Sequence, residues 1–256
     1  MGGNFTSAGL DAFFRGVLDI AGWAGADDSL NGIQVGCDAP VGKIAFAVDA
    51  SLETIGRAAD CGAGMLFVHH GLFWGRPAAI DGNLRRRVKA LLDAGICLYA
   101  AHLPLDAHPE LGNNAALAGL LGLTALEPFG ECHGRKIGFK GRFAEPVGID
   151  EAARRIAFEG RPPLGVFPFG KEGSETCAVV SGGAARSALE AVGEGIDLFV
   201  TGEMGHSYYA DCLEGGLNVI AGGHYSTEVW GLRSLMRLAA AELNVDTVFL
   251  DVPTGL

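Results

Sequence analysis

Nothing in this sequence is apolar for long. The hydrophobic runs break within about eight residues, far short of the ~20 that cross a bilayer, so no membrane span is expected. Basic residues are also scarce: 19 Lys and Arg stand against 30 Asp and Glu, for a formal charge of −11, and no basic cluster exceeds Arg85-Arg86-Arg87. A surface of that sign repels phosphate backbones, which disfavours nucleic acid as a partner. The six cysteines (Cys37, Cys61, Cys97, Cys132, Cys177 and Cys212) stand singly, with no CxxC pair. That spacing points away from a zinc ribbon or a dithiol redox centre and toward small buried residues in a reducing compartment. The first ten residues lack a basic segment followed by an apolar core, so cytoplasmic residence is expected. There is no P-loop of the form GxxxxGK followed by Ser or Thr, and no GxGxxG after a strand, so nucleotide binding has no independent support.

What is present is a chain of 256 residues, 49% hydrophobic and 19% charged, long enough for one or two domains with their own cores. Its 40 glycines are scattered at element ends without a short repeat, a pattern that suits many tight strand-to-helix connections. Residues 5–20 read as an amphipathic helix, with Leu10, Phe13, Phe14, Val17 and Leu18 at helical spacing and Thr6 or Ser7 as N-cap. Strand-like and helical stretches then alternate. Strands are expected at 43–50, 65–68 and 96–101, with helices at 51–60, 84–94 and 110–121. Pro128 and Gly130 break the pattern, and a domain boundary is placed there, giving lobes 1–127 and 128–256. The second lobe repeats the alternation, with strands expected at 136–143, 166–169, 177–180, 197–200, 217–221 and 247–252. Its helices are expected at 149–158, 184–192, 204–212 and 226–242.

The two halves resemble each other. FAVDASLETIGRAADCGAGMLFVHHG leads to LYAAH in the first, and AVVSGGAARSALEAVGEGIDLFVTGE leads to VIAGGH in the second. Each reads strand, polar turn, helix, strand, polar turn, helix, strand, histidine. This is the pattern of two related α/β lobes with mostly parallel sheets. Such sheets place ligands at the carboxyl ends of their strands, where FVHHG, AAHLPLD, LFVTGE and IAGGH fall.

The chemistry gathers at those ends. His69 and His70 close an apolar run ahead of Gly71; in a strand they point to opposite faces, so they converge only where the backbone turns. A histidine pair held by carbonyls at a sheet edge is the alternative. His224 and Glu228, four apart in GGHYSTE at a helix start, share one face and suit a metal, or else Glu228 favours the helix dipole. Asp106 lies between Pro104 and Pro109, as a ligand or as the cap of the next helix. His102 and His108 are substrate or supporting groups, or loop histidines. Glu203 and His206 mirror the histidine pair, and Glu203 would orient a ligand histidine or favour a helix N-terminus. The stretch Asp27 to Gly36 is a plain loop and hairpin or the rim of a site.

DSLNGIQVG, VHHGLFWG, HLPLDAHPELGNN, LFVTGE and GGHYSTE, in that order, resemble the NIF-three-like family, whose members are commonly named GTP cyclohydrolase 1 type 2 homologs. The resemblance covers nearly the whole chain. It implies two interlocked α/β lobes, a dinuclear metal centre between them and a homohexamer assembled from dimers. It places the ligands on His69, His70, Asp106, His224 and Glu228. Asp106 stands in HLPLD where many relatives have HTNLD, and the middle insertion of some relatives is missing, which leaves only the short segment 134–175.

Three imidazoles and two carboxylates without thiolate suit Zn, Fe, Mn, Ni or Co. Five ligands for two ions need a bridge, and Glu228 is the expected one. The expected function is hydrolysis of an unidentified small molecule by a metal-bridging hydroxide, with His102 or His206 as proton shuttle. GTP cyclohydrolase activity is implied by the family label alone. The alternative is a non-catalytic metal-binding regulator or metal-delivery protein.

Overall fold

The computed structural model describes residues 5–256, which divide into two compact units. The first holds residues up to Leu105 together with Leu232–Val252, and the second holds Asp106–Gly231 with Pro253–Leu256. The boundary expected at 127/128 falls inside a strand, because the segment around Pro128 and Gly130 is extended and paired.

In the first unit, β1 (Gly32–Val35), β2 (Lys43–Asp49), β3 (Met65–His70), β4 (Cys97–Ala100) and a last strand, Asp246–Phe249, form one sheet. Its order is β1, β4, β3, β2, then Asp246–Phe249; all pairings are parallel except that of β1 with β4. β2 and β3 read as continuous apolar runs because both faces of the sheet are covered. On one face Phe46, Phe67 and Tyr99 pack edge-on or tilted against Phe14 of the helix Ser7–Leu18, with ring centroids 6.4, 4.8 and 5.3 Å from that of Phe14. On the other face Ala45, Leu66, Val68 and Leu98 pack with Ile55 and Ala58 of the helix Leu52–Asp60 and Leu91 of the helix Gly82–Ala94. Ser51 starts the first of these helices: its hydroxyl accepts from the Thr54 amide at 3.0 Å. Gly95, at φ 64°, ends the second.

The second unit has a six-stranded mixed sheet built from β5 (Thr124–Cys132), β6 (Arg135–Gly148), β7 (Gly165–Phe167), β8 (Gly173–Val180), β9 (Leu198–Thr201) and β10 (Asn218–Ala221). The order is β5, β6, β8, β9, β10, β7. β8, β9 and β10 run parallel, while β5, β6 and β7 pair antiparallel with their neighbours. β5 and β6 form a hairpin whose two linking residues, His133 and Gly134, both have positive φ, as a type I′ turn requires. Pro128 is tolerated because β5 is an edge strand. The core joins Leu117 and Leu121 of the helix Asn113–Leu121 to Cys177, Val179, Leu198, Val200 and Ile220.

The likeness of the halves holds at the level of topology. An antiparallel lead strand, β1 or β7, pairs with the third member of a parallel triplet, β2-β3-β4 or β8-β9-β10. The strand Asp246–Phe249, expected in the second lobe, adds instead to β2 of the first. No helix among the described residues is long and apolar enough to cross a membrane.

Candidate metal centre

The carboxyl end of β3 carries His69, fully buried, and His70, partly exposed. Although neighbours on a strand, their rings converge to 4.7 Å between centroids. Gly71, placed to make the turn, also leaves room for Gln34, whose side-chain amide fills the space a Cβ would take. That amide ties the following loop, since Gln34 Oε1 accepts from the backbone N–H of Leu72 at 2.6 Å and Phe73 at 3.2 Å.

Each imidazole of this unit is held through Nδ1. His69 donates to the Ala101 carbonyl at 3.0 Å, His70 to Asp49 Oδ1 at 2.9 Å and His102 to Asp27 Oδ1 at 3.0 Å. These oxygens only accept, so Nδ1 carries a proton in each ring and Nε2 is the nitrogen left to face away from them. The three residues offer ring nitrogens within 4.8 Å of one another. Asp49 reaches His70 because the two are paired in register across β2 and β3. Asp27 is buried and also accepts from Ser29 N, Asn31 Nδ2 and Leu103 N, each at 2.9 Å. Burial alone would push its carboxyl up, but the hydrogen bond and charge of His102, with Asn31 and Ser29, hold it at about 2.

In the second unit, Asp106 closes the short helix Leu103–Asp106 and is buried. Its Oδ1 accepts from Asn113 Nδ2 at 2.9 Å and Ser181 Oγ at 3.0 Å. Asp106 does not cap the following helix, whose N-cap is Gly112. His224 begins the helix His224–Leu243; its Nδ1 donates to Glu203 Oε1 at 2.5 Å, and Nε2 lies 3.2 Å from Glu228 Oε1. A hydrogen bond from His224 to Glu203 is thus present, as is the shared face of His224 and Glu228. Carboxylate oxygens of Asp106 and Glu228 lie within 4.8 Å of each other, so buried Glu228 stands close to both Asp106 and His224. Gly182, at φ +65°, makes room: a Cβ there would collide with Glu228 Oε1. Burial acts to lower the His224 pKa, but the carboxylates of Glu228 and Glu203 outweigh it and raise it to about 9.

Two expected residues belong to none of these groups of candidate ligands. His206 opens the short turn His206–Tyr208 and is exposed. His108 serves its own loop, with Nδ1 accepting from Glu110 N at 3.2 Å and Leu111 N at 3.0 Å. The supporting residues Asp49, Ser181, Asn113 and Asn114 were not expected. Asp49 and Ser181 carried a usable signal, as the first polar residues at the carboxyl ends of β2 and β8. Asn114 carried none: its amide reaches the Ile137 carbonyl at 2.8 Å and accepts from Ser181 N at 2.7 Å, links that no local pattern encodes.

The donor set fits a divalent ion of the Zn, Mn, Fe, Ni or Co group: imidazole Nε2 atoms fixed from behind, buried carboxylates and no thiolate. Comparison with known proteins agrees with this architecture. A protein of Pyrococcus horikoshii named GTP cyclohydrolase 1 type 2 homolog is 48% identical over 247 residues, covering 96% of this chain and 97% of that protein. Among solved structures, protein ybgI, titled as of unknown function, matches with a TM-score of 0.89 at 36% identity, covering 98% of this chain and all of that one. TTHA1606 from Thermus thermophilus matches with a TM-score of 0.87 at 40% identity, with the same coverage. Residues 13–255 match the family described as Duf34/NIF3 (NGG1p interacting factor 3), and with the motifs at its strand ends in place, the chain belongs to that family.

Proposed function

We propose that His69, His70, Asp106, His224 and Glu228 together hold two divalent metal ions and that the protein is a metal-dependent hydrolase. The observation that carries this reading is the common treatment of the imidazoles. Nδ1 of His69, His70 and His224 is committed to a carbonyl or carboxylate, the arrangement by which proteins orient a metal-binding Nε2. Glu228 is the proposed bridge, supported by its nearness to both Asp106 and His224. When bound, a pair of such ions supplies Lewis acidity and brings the pKa of water to about 7.

The chain's own groups then divide the remaining work. Asp49 and Glu203 keep His70 and His224 in one tautomer, and Ser181 and Asn113 hold the Asp106 carboxylate in place. Of the two expected proton carriers, His102 is the better supported. Its ring lies 5.0 Å from that of His69, and the Asp27 carboxylate behind it would stabilise the imidazolium formed when Nε2 takes a proton. The relatives' name makes opening of a purine nucleotide ring one reaction to assay, alongside phosphodiester and amide hydrolysis.

The test is elemental analysis of the purified protein followed by those assays, with His69→Ala as the blank and Glu228→Gln in parallel. Metal and turnover are expected in the parent, with both lowered in the variants. A Glu228→Gln protein with unchanged metal and unchanged turnover would contradict the assignment.

A further inference from the structure

Of the run Leu72-Phe73-Trp74, the first two side chains pack against the core and the third stays 38% exposed. Exposure of so large an apolar surface is unfavourable, and here it is not the product of a loose loop. Gln34 Nε2 donates to the carbonyls of Leu30 at 2.9 Å and Phe73 at 3.2 Å, in addition to the two amides that its Oε1 accepts. Leu30 N donates to the Phe73 carbonyl at 3.0 Å, Ser29 forms an antiparallel bridge with Trp74, and Gly75 N donates to the Asp28 carbonyl. The indole is tied as well, by Nε1 donating to the Gly71 carbonyl at 3.1 Å.

The polar handle of the ring is therefore used, and what remains of the indole is apolar aromatic surface. That surface stands beside the imidazoles, with its centroid 5.0 Å from His102, nearly perpendicular, and 6.3 Å from His70. A rigid aromatic side chain at this position binds a flat partner at little entropic cost.

We propose that Trp74 is a stacking platform that selects substrates carrying a planar aromatic or heteroaromatic ring and places that ring next to His70 and His102. The proposal rests on the reading of this strand end as a reaction site, and it deepens that reading by naming a substrate class and the residue that recognises it.

The experiment is equilibrium binding, read by calorimetry and by quenching of tryptophan emission, so that it does not depend on turnover. Adenosine and quinoline are the planar probes, with ribose and cyclohexanol as non-aromatic controls, on protein with and without divalent metal. The planar probes are expected to bind and the controls not. Trp74→Ala should weaken planar-probe binding about tenfold, the scale of one base–aromatic stack, while Trp74→Phe retains most of it. Equal binding to Trp74→Ala, equal binding of ribose and adenosine, or no binding of either planar probe to the parent would overturn the proposal. Thermal melting of both variants separates loss of the platform from loss of the fold. A parent that stacks planar probes through Trp74 but hydrolyses nothing would remove the hydrolase reading and leave the platform standing.

Discussion

At the carboxyl end of β3 the chain presents His69 and His70, whereas at the matching end of β9 it presents Thr201, Gly202 and Glu203. The neighbouring ends pair off in the same way: Asp49 on β2 against Ser181 after β8, and His102 after β4 against His224 after β10. The two triplets have one topology and different donors. The first is rich in imidazole and uses carboxylates, Asp49 and Asp27, to hold the rings. The second has a single imidazole of this kind, held by Glu203, and buries the carboxylates of Asp106 and Glu228. In both, a side chain at one strand end orients a histidine at the end of the next, because parallel neighbours lie about 5 Å apart. The fold supplies the slots and their spacing, and the sequence decides which side chain fills each slot.

The comparison is broken most severely at Gly182. Gly182→Ala adds a Cβ against Glu228 Oε1 at a positive φ, so a loss of about 1–3 kcal/mol of stability and a marked loss of metal are expected. Chemical denaturation and elemental analysis check the two parts. Equivalence of the supporting carboxylates is the sharper test: Asp49→Asn and Glu203→Gln should each weaken metal binding about 10–100-fold without unfolding the protein. Competition with a chelator of known affinity reads this, and an effect confined to one triplet would show that the two ends do not share a rule.

The opposite ends of the strands should answer differently. Asp197, just ahead of β9, accepts from Glu175 N at 2.9 Å, Thr176 N at 3.0 Å and Lys171 Nζ at 3.0 Å. Burial would raise its pKa, but these donors outweigh burial and hold it below the usual carboxylate range. A folded pKa below the unfolded one means the stabilisation is present above the unfolded value, near 3.9, and fades as pH falls through the folded value. Asp197→Asn is therefore expected to cost about 1 kcal/mol near neutrality and progressively less in acid, with metal content unchanged. Thermal melts from pH 7 to pH 3 check it. The smallest effect belongs to Lys89→Ala, which removes an exposed ion pair with Asp93 on the helix Gly82–Ala94 and should change stability by less than about 0.5 kcal/mol.

Local signals made much of this readable. β2 and β3 are apolar runs bounded by turn formers, and His69, His70 and His224 sit where such runs stop. Long-range pairing was not readable. The strand Asp246–Phe249 pairs with β2 some two hundred residues earlier, and nothing in its own pattern says so. Pro128 and Gly130 suggested a break, yet as edge-strand residues they belong to a hairpin closed by His133 and Gly134. Asp27 lies 75 residues from His102, so a stretch that reads equally as a plain loop or as the rim of a site gave no sign of which histidine its carboxylate would meet.

The proposal that His69, His70, Asp106, His224 and Glu228 hold two metal ions is tested most directly by metal stoichiometry. Elemental analysis of the parent, His69→Ala and His224→Ala after saturation with a divalent ion and removal of excess should give about two ions per chain in the parent. Fewer are expected in both variants. A parent that retains no ion, or a His224→Ala protein that keeps the parental number, would contradict it.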